Sequence, residues 1–329
     1  MPLKSIAKKV LPKPVKKGLK SLYKFVFKKK LEIRRLHKEI ESLQYQVDYL
    51  KFHFDIKQMK PATGYLRDYQ MKELEFTQKI LKMLEPYGIT AFLEGGALLG
   101  ARRHGGYIPW DDDIDVGVTR KDFNKLMEIA KKDFVWIDST KKEGNYAKFY
   151  DDSIRANPGK LVFIRTPYCL HLYQGTCLKD ALNLEFFSND FVKEGVTEEE
   201  YIAYREKVIN SVHGDRSWKE IFDFYDKELE NSPIYSLEPT SRITPGLGNW
   251  VLTEYKFHGF RNYDELYPLK PIPFENTTLL GPNQPDIMLD KQFGKNWGKF
   301  PKDVGIPHTL LDLNEYLETI GEPIDFKEF

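Results

Sequence analysis

Four aspartates fall within five positions at Asp111-Asp112-Asp113-Ile114-Asp115, directly after Pro109-Trp110. Such a run repels itself at neutral pH unless positive charge sits among it. An isolated acidic run reads first as a solvated loop. Here Ile114, Val116 and Val118 alternate as in a half-buried strand, an apolar frame that a solvated loop does not need. The spacing predicts Asp113 and Asp115 on one face of that strand. Hard divalent cations such as Mg²⁺ take oxygen ligands of this kind and share them with substrate phosphates. Just upstream, Gly95-Gly96 supplies a glycine pair that lets backbone approach a ligand closely. Together these features point to metal-assisted chemistry on a nucleotide phosphate.

Charge is unevenly spread. The net value of +1 hides 17 Lys/Arg against 5 Asp/Glu in the first sixty residues. That imbalance predicts a basic arm for an anionic partner. Residues 1–31 read as a basic amphipathic helix. Val15, Leu19, Leu22, Tyr23 and Val26 follow helical spacing, Lys16, Lys20, Lys24 and Lys28 line another face, and Pro12 and Pro14 precede it. Such a helix suits an anionic membrane surface; a nucleic-acid-binding or solvated tail is the alternative. Residues 32–60 carry a heptad, with Ile33, Ile40, Val47 and Phe54 at one core position and Leu36, Leu43 and Leu50 at the other. The 3–4 spacing predicts a coiled coil; β-branched residues at the first core position with Leu at the second favour a parallel homodimer, while the oversized Phe54 and the short length leave a trimer or packing on the protein's own body as alternatives.

After a hinge at Pro61–Gly64, the catalytic region is expected over residues 65–329. A helix is predicted at 65–87, a strand at Ile89–Leu93, a short helix at Ala97–Arg103 and a helix at Lys121–Lys132. Further strands are predicted near 134–138, 146–150, 161–165 and 182–187, and helices at 197–207 and 217–229. The C-terminal third, rich in Pro, Gly, Asn and aromatics, reads as an irregular acceptor-binding subdomain. Cys169 and Cys177 have neither metal-ligand spacing nor a disulfide framework, so reduced cysteines of a cytoplasmic protein are expected. No apolar run approaches the roughly 20 residues of a membrane span. A location on the inner face of the cell membrane, through the arm, is the expectation.

The segment Phe92–Val118, FLEGGALLGARRHGGYIPWDDDIDVGV, resembles the signature of the LicD family. That family includes bacterial phosphocholine transferases of surface glycans and is similar to the fukutin-related ribitol-phosphate transferases. Leu266-Tyr-Pro-Leu-Lys270 with Pro273-Phe274-Glu275 and Gly281-Pro282 resembles its C-terminal motif. The resemblance implies an α+β protein with a nucleotidyltransferase-like mixed sheet flanked by helices, here preceded by the basic helix and coiled coil. It implies transfer of a substituted phosphate from a CDP-linked alcohol to a hydroxyl of a glycan or lipid-linked glycan, with release of CMP.

By motif position, Asp113 and Asp115 correspond to the pair that holds Mg²⁺ or Mn²⁺. Asp111 corresponds to the first aspartate in a supporting role, Gly95 and Gly96 to the glycine pair, Arg103 and His104 to the Arg-His, and Lys270 to the C-terminal lysine. Relatives carry a later Asp-Ile-Phe-Pro that supplies a third carboxylate. The counterpart here is Glu185-Phe186-Phe187-Ser188, with Asp180 competing for the role; the alternation around Glu185 favours it. Lys148, on the strand predicted at 146–150, is a candidate phosphate contact. Two rival functions share these residues: an NTP-dependent nucleotidyltransferase acting on nucleic acid or protein, and a non-catalytic glycan-assembly scaffold. Nucleic acid is not expected as a partner.

Overall fold

The computed structural model describes residues 13–212, 216–249, 259–301 and 316–321, with side chains from residue 22 onward. Residues 1–12, the side chains of Val15, Lys16, Leu19 and Lys20, and residues 302–315 and 322–329 of the expected acceptor region lie outside the described residues. The chain divides into two units, Met1–Asp55 and Ile56–Phe329.

The first unit is a helix, α1 (Lys13–His53), which carries both the basic stretch and the heptad. Its interior is rich in Leu, Lys, Glu and Gln, and no proline follows Pro14 to break the ladder. Lys51 and His53 in its last turn complement the helix dipole. Ile33, Leu36, Ile40, Leu43, Val47, Leu50 and Phe54 are all exposed. Among the described residues, no helix is long and apolar enough to cross a membrane.

The second unit opens with α2 (Gly64–Leu84), whose Leu66, Leu74, Ile80 and Leu84 are buried at helical spacing. A 3₁₀ turn at Glu85–Tyr87 follows, and Gly88 stops the helix in the left-handed conformation (φ 65°). Then come β1 (Phe92–Leu93), α3 (Gly95–Arg103), β2 (Asp115–Thr119) and α4 (Arg120–Asp133). Thr119 caps α4 by accepting from the Asp122 N–H. The chain continues through β3 (Val135–Ile137), α5 (Tyr146–Arg155), β4 (Val162–Arg165), β5 (Leu170–Gln174) and the long β6 (Leu182–Val192). Two helices, α6 (Glu198–Val212) and α7 (Trp218–Glu230), precede β7 (Tyr235–Ser236), β8 (Arg242–Pro245) and β9 (Arg261–Asn262). A short α8 (Tyr263–Leu266), the hairpin β10 (Lys270–Phe274) and β11 (Thr277–Gly281), and α9 (Pro285–Phe293) complete the described elements.

The main sheet runs β1-β2-β6-β5-β4-β3, with β7 and β8 pairing the far end of β6 and β9 pairing β8. It is mixed: β2/β6 and β3/β4 are parallel, the other pairs antiparallel. Val116, Val118, Leu172, Leu184 and Phe186 are almost wholly buried in its core with Leu74, Ile80 and Phe92. Side chains of this size contribute about 1.5–3 kcal/mol each when fully buried. The expected mixed sheet with flanking helices is therefore present.

Three local expectations are corrected. Residues 146–150 are the start of helix α5, not a strand. Asn145 caps it by accepting from Lys148 N–H, and Ala147, Tyr150 and Ile154 are buried three and four residues apart, a helical period. Regular strand pairing begins at Asp115 rather than Asp113, so the three preceding aspartates lie on the loop leading into β2. The C-terminal third is more regular than expected, since β8–β11 and α9 lie within it.

Candidate active site

The carboxylates converge at the N-terminal end of β2. Asp115 stands on the first strand position, and in the parallel pairing with β6 it lies in register with Glu185. The side-chain oxygens of Asp111, Asp112 and Asp113 come within 4.8 Å of one another on the preceding loop. The start of α3 faces them. The Gly96 N–H donates to the Asp115 carboxylate, so the positive end of that helix meets the negative cluster.

The two glycines are needed for that approach. Gly95 has φ 54°, and a Cβ there would sit 2.5 Å from Asp115 Oδ2; a Cβ on Gly96 would sit 2.9 Å from Asp111 Oδ2. The glycine pair thus serves the carboxylates by letting backbone touch them.

Charge is concentrated beyond what these groups tolerate alone. Burial, then the charges of Asp113, Glu185 and Asp111, push the Asp115 carboxyl well above the usual range. Burial, then Asp113 and Asp112, do the same to Asp111. Glu73 on α2, fully buried, is pushed up by burial and by Asp113 and Asp112, although the Tyr107 hydroxyl donates to its Oε2 at 3.0 Å. Its Oε1 has no hydrogen-bond partner. The three loop aspartates at mutual ligand distance, with Asp115 and the orphan Glu73 oxygen close enough to feel their charge, form a hard-oxygen donor set that fits a divalent cation such as Mg²⁺ or Mn²⁺.

Glu185 differs from its neighbours. Burial works to raise it, but His171's charge and hydrogen bond outweigh that and hold it down at about 2, with Asn183 and Cys169 assisting. His171 Nδ1 lies 3.1 Å from Oε1, and Asn183 Nδ2 donates to the same oxygen at 3.0 Å. Asp180 is occupied elsewhere. Its oxygens accept from Thr176 N–H (2.8 Å), Thr176 Oγ1 (2.7 Å) and Cys177 N–H (2.9 Å), capping its own turn.

Arg103 is buried, donating from Nε to His104 Nε2 at 2.9 Å and from Nη1 to the Trp297 carbonyl at 3.2 Å, with its guanidinium over the Trp110 ring. Burial lowers it to about 10, so it stays charged at neutral pH, with Asp111 opposing the shift. Burial and the Arg103 charge drop His104 to about 4, so its ring is a neutral acceptor for Arg103. Lys148 and Lys270 are not drawn into the cluster. Lys148 is exposed on α5 and pairs with Asp152 one turn along, and Lys270 is exposed and reaches the Asn283 carbonyl at 3.4 Å.

Sequence reading missed the scaffold behind the site. Glu94 precedes α3 at the N-cap position, but its buried carboxylate turns away from the helix and accepts from Arg261 Nη1 at 2.9 Å and Asn189 Nδ2 at 2.7 Å. Gly117 on β2 makes room for that carboxylate, since a Cβ there would lie 2.5 Å from Glu94 Oε2. Glu73 had a signal: Gln70, Glu73 and Thr77 share the buried face of α2 with Leu74, Ile80 and Leu84. Polar residues on an apolar face mark a site or a buried network.

Comparison with known proteins agrees on the region. Residues 88–162 match the family model for LicD/FKTN/FKRP, nucleotidyltransferase domain. The chain is 37% identical over 87 residues to the lipopolysaccharide cholinephosphotransferase LicD of Haemophilus influenzae, covering 26% of this chain and 30% of that relative. It is also 37% identical over 71 residues to the ribitol 5-phosphate transferase FKRP of Homo sapiens, and equally to that of Mus musculus, covering 19% of this chain and 14% of each relative. The matches thus span less than a third of the length of these curated relatives.

Proposed function

We propose, from the match of residues 88–162 to the LicD/FKTN/FKRP nucleotidyltransferase-domain model, that the protein is a divalent-metal-dependent transferase of substituted phosphate groups. The donor is a CDP-linked alcohol, with choline or an alditol as the alcohol, and the acceptor is a hydroxyl of a cell-surface glycan or its lipid-linked precursor. The observation that carries this reading is the placement of Asp111 and Asp115 against the glycine pair of α3, with the charges of Asp113 and Glu185 acting on Asp115.

Asp113 and Asp115, supported by Asp111, would hold Mg²⁺ or Mn²⁺. When bound, the cation supplies neutralisation of the donor diphosphate and of the charge that develops on the transferred phosphorus. The chain's own groups do the rest. The Gly96 N–H holds Asp115 in place. Glu185, kept ionised by His171, faces the same centre from β6. The acceptor oxygen forms the new P–O bond, the P–O bond to CMP breaks, and the hydroxyl proton leaves to a carboxylate or to water. A carboxylate held near 2 accepts protons weakly, which favours ligation over base catalysis for Glu185. Arg103 lies beneath Trp110, tied to His104 and the Trp297 carbonyl, so its role is to brace the acidic loop.

The α1 helix supports two further roles. Its exposed heptad suits a parallel dimer with a second copy, and its basic, aromatic N-terminal half suits an anionic membrane surface. The experiment for the activity is a screen of CDP-choline, CDP-glycerol and CDP-ribitol with Mg²⁺, reading CMP release and the mass of the modified acceptor. Pyrophosphate release from an NTP would favour the nucleotidyltransferase reading instead.

A further inference from the structure

A second cluster of donor side chains lies on the other flank of Glu185. On β5, His171 is the antiparallel register partner of Glu185, so Asp115, Glu185 and His171 form one row across three adjacent strands. Cys169, two residues before His171 and on the same face, brings its sulfur to 3.2 Å from His171 Nε2 and 3.5 Å from Glu185 Oε2. One ligating atom from each of the three lies within 4.8 Å of the others. Cys169 and His171 are buried, and Glu185 is half-buried.

The donors differ in kind from those of the aspartate loop. Zn²⁺ takes sulfur at about 2.3 Å and nitrogen or oxygen at about 2.0–2.2 Å, and tetrahedral angles then separate the donors by roughly 3.3–3.7 Å. The separations of 3.2 and 3.5 Å already lie at that scale. The His171 ring touches both other donors and is held by stacking. Its Nδ1 lies 3.1 Å from Glu185 Oε1 and 3.4 Å from Tyr173 Oη, its Nε2 lies 3.2 Å from the sulfur, and Tyr173 stacks on the ring at 8°. Thr166 fixes Cys169 by accepting from its N–H at 3.1 Å and donating to its carbonyl at 3.0 Å. Cys169 immediately precedes β5, His171 lies on it and Glu185 lies on the adjacent β6, so neighbouring strands present three donors to one place.

We propose that Cys169 Sγ, a ring nitrogen of His171 and a Glu185 oxygen form a second metal position, suited to Zn²⁺, beside the hard-oxygen position of the aspartates. Binding displaces two protons to solvent, one from the Cys169 thiol and one from the His171 imidazolium. Glu185 borders both positions, since its register partners are Asp115 on β2 and His171 on β5. The hard position prefers Mg²⁺ or Mn²⁺ and the sulfur-containing one prefers zinc.

The test reads metal rather than turnover, so it stands whether or not the transfer reading holds. Full-length protein is stripped with chelator and titrated with Zn²⁺, and with Co²⁺ as a spectroscopic probe of sulfur ligation. The expected result is one tightly bound zinc per chain and a thiolate-to-cobalt charge-transfer band. Both are lost in C169S and in H171Q and kept in C177S, while C169S retains Mn²⁺ binding. A wild-type protein with no such band, or a band unchanged by C169S and H171Q, overturns the proposal. The wild-type spectrum decides the matter even if a variant fails to fold.

Discussion

Asp115 and Glu185 are register partners on adjacent parallel strands, yet their carboxyls are driven in opposite directions: Asp115 well up, Glu185 down to about 2. The difference is in their neighbours. Asp115 faces Asp113, Glu185 and Asp111, with a single Gly96 N–H to offset them, whereas Glu185 is held by His171 and Asn183 on its far side. A cation placed against Asp115 would relieve the strain that the strand pairing creates.

Glycine substitutions test the contact between α3 and the carboxylates. Gly95→Ala puts a Cβ 2.5 Å from Asp115 Oδ2 at φ 54°, so a stability loss of about 1–2 kcal/mol and a large fall in turnover are expected. Gly96→Ala meets the end of a movable Asp111 side chain at 2.9 Å and has an ordinary φ, so its stability cost is smaller. Denaturant melts and initial rates on both variants check the ranking.

The buried Glu94–Arg261 pair ties the start of α3 to β9. Arg261→Met leaves Glu94 charged and buried, and a loss of about 3–5 kcal/mol is expected in urea unfolding. The double variant E94Q/R261M should recover part of that loss, because it removes the stranded charge. Equal stability of single and double variants would contradict this.

His104 gives the chain an acid-sensitive contact. Its folded value of about 4 lies below the unfolded 6.5, so the unfolded state binds more protons between those values. The stabilising effect is present above pH 6.5 and is lost as pH falls from there to about 4. The full shift corresponds to about 3 kcal/mol, and partial exposure reduces it to about 1–2 kcal/mol. His104→Gln keeps an acceptor for Arg103 but does not titrate, so its stability should decline less between pH 6.5 and 4 than that of the wild type, measured by thermal melts across pH.

Deletion of residues 1–55 removes the first unit and leaves the second, which carries its own core. Turnover on a short water-soluble acceptor should survive, while co-sedimentation with anionic vesicles and dimerisation in analytical ultracentrifugation should both disappear. Vesicle binding equal to that of the full chain would reject the anchoring role.

Much of this architecture was legible where pattern and chemistry coincide. Val116 and Val118 alternating with Asp115 and Thr119 marked β2, and the apolar spacing of Leu66, Leu74, Ile80 and Leu84 marked α2. The acidic run announced the site because four like charges demand a counter-ion. What was hidden depended on tertiary context. Tyr146–Tyr150 is too short a window to separate a period of 2 from 3.6, and only the Asn145 cap and buried Ile154 reveal a helix. The strand β5, which sets His171 beside Glu185 and follows directly on Cys169, could not be seen because its importance comes from strand pairing across the sheet. Glu73 and Arg261 reach the site and its scaffold from sequence positions far from Asp115, and no local motif joins them.

The central claim is that the aspartates after Trp110 hold a divalent cation. It is tested most directly by calorimetric titration of Mn²⁺ into the full chain, wild type against D113N and D115N, with CDP present. The expected result is stoichiometric binding by the wild type and loss of that binding in both variants. Turnover should fall with it by at least about 100-fold, since loss of supporting partners alone costs 10–100-fold. Mn²⁺ binding that is the same in all three proteins, or full activity in EDTA, would contradict the account.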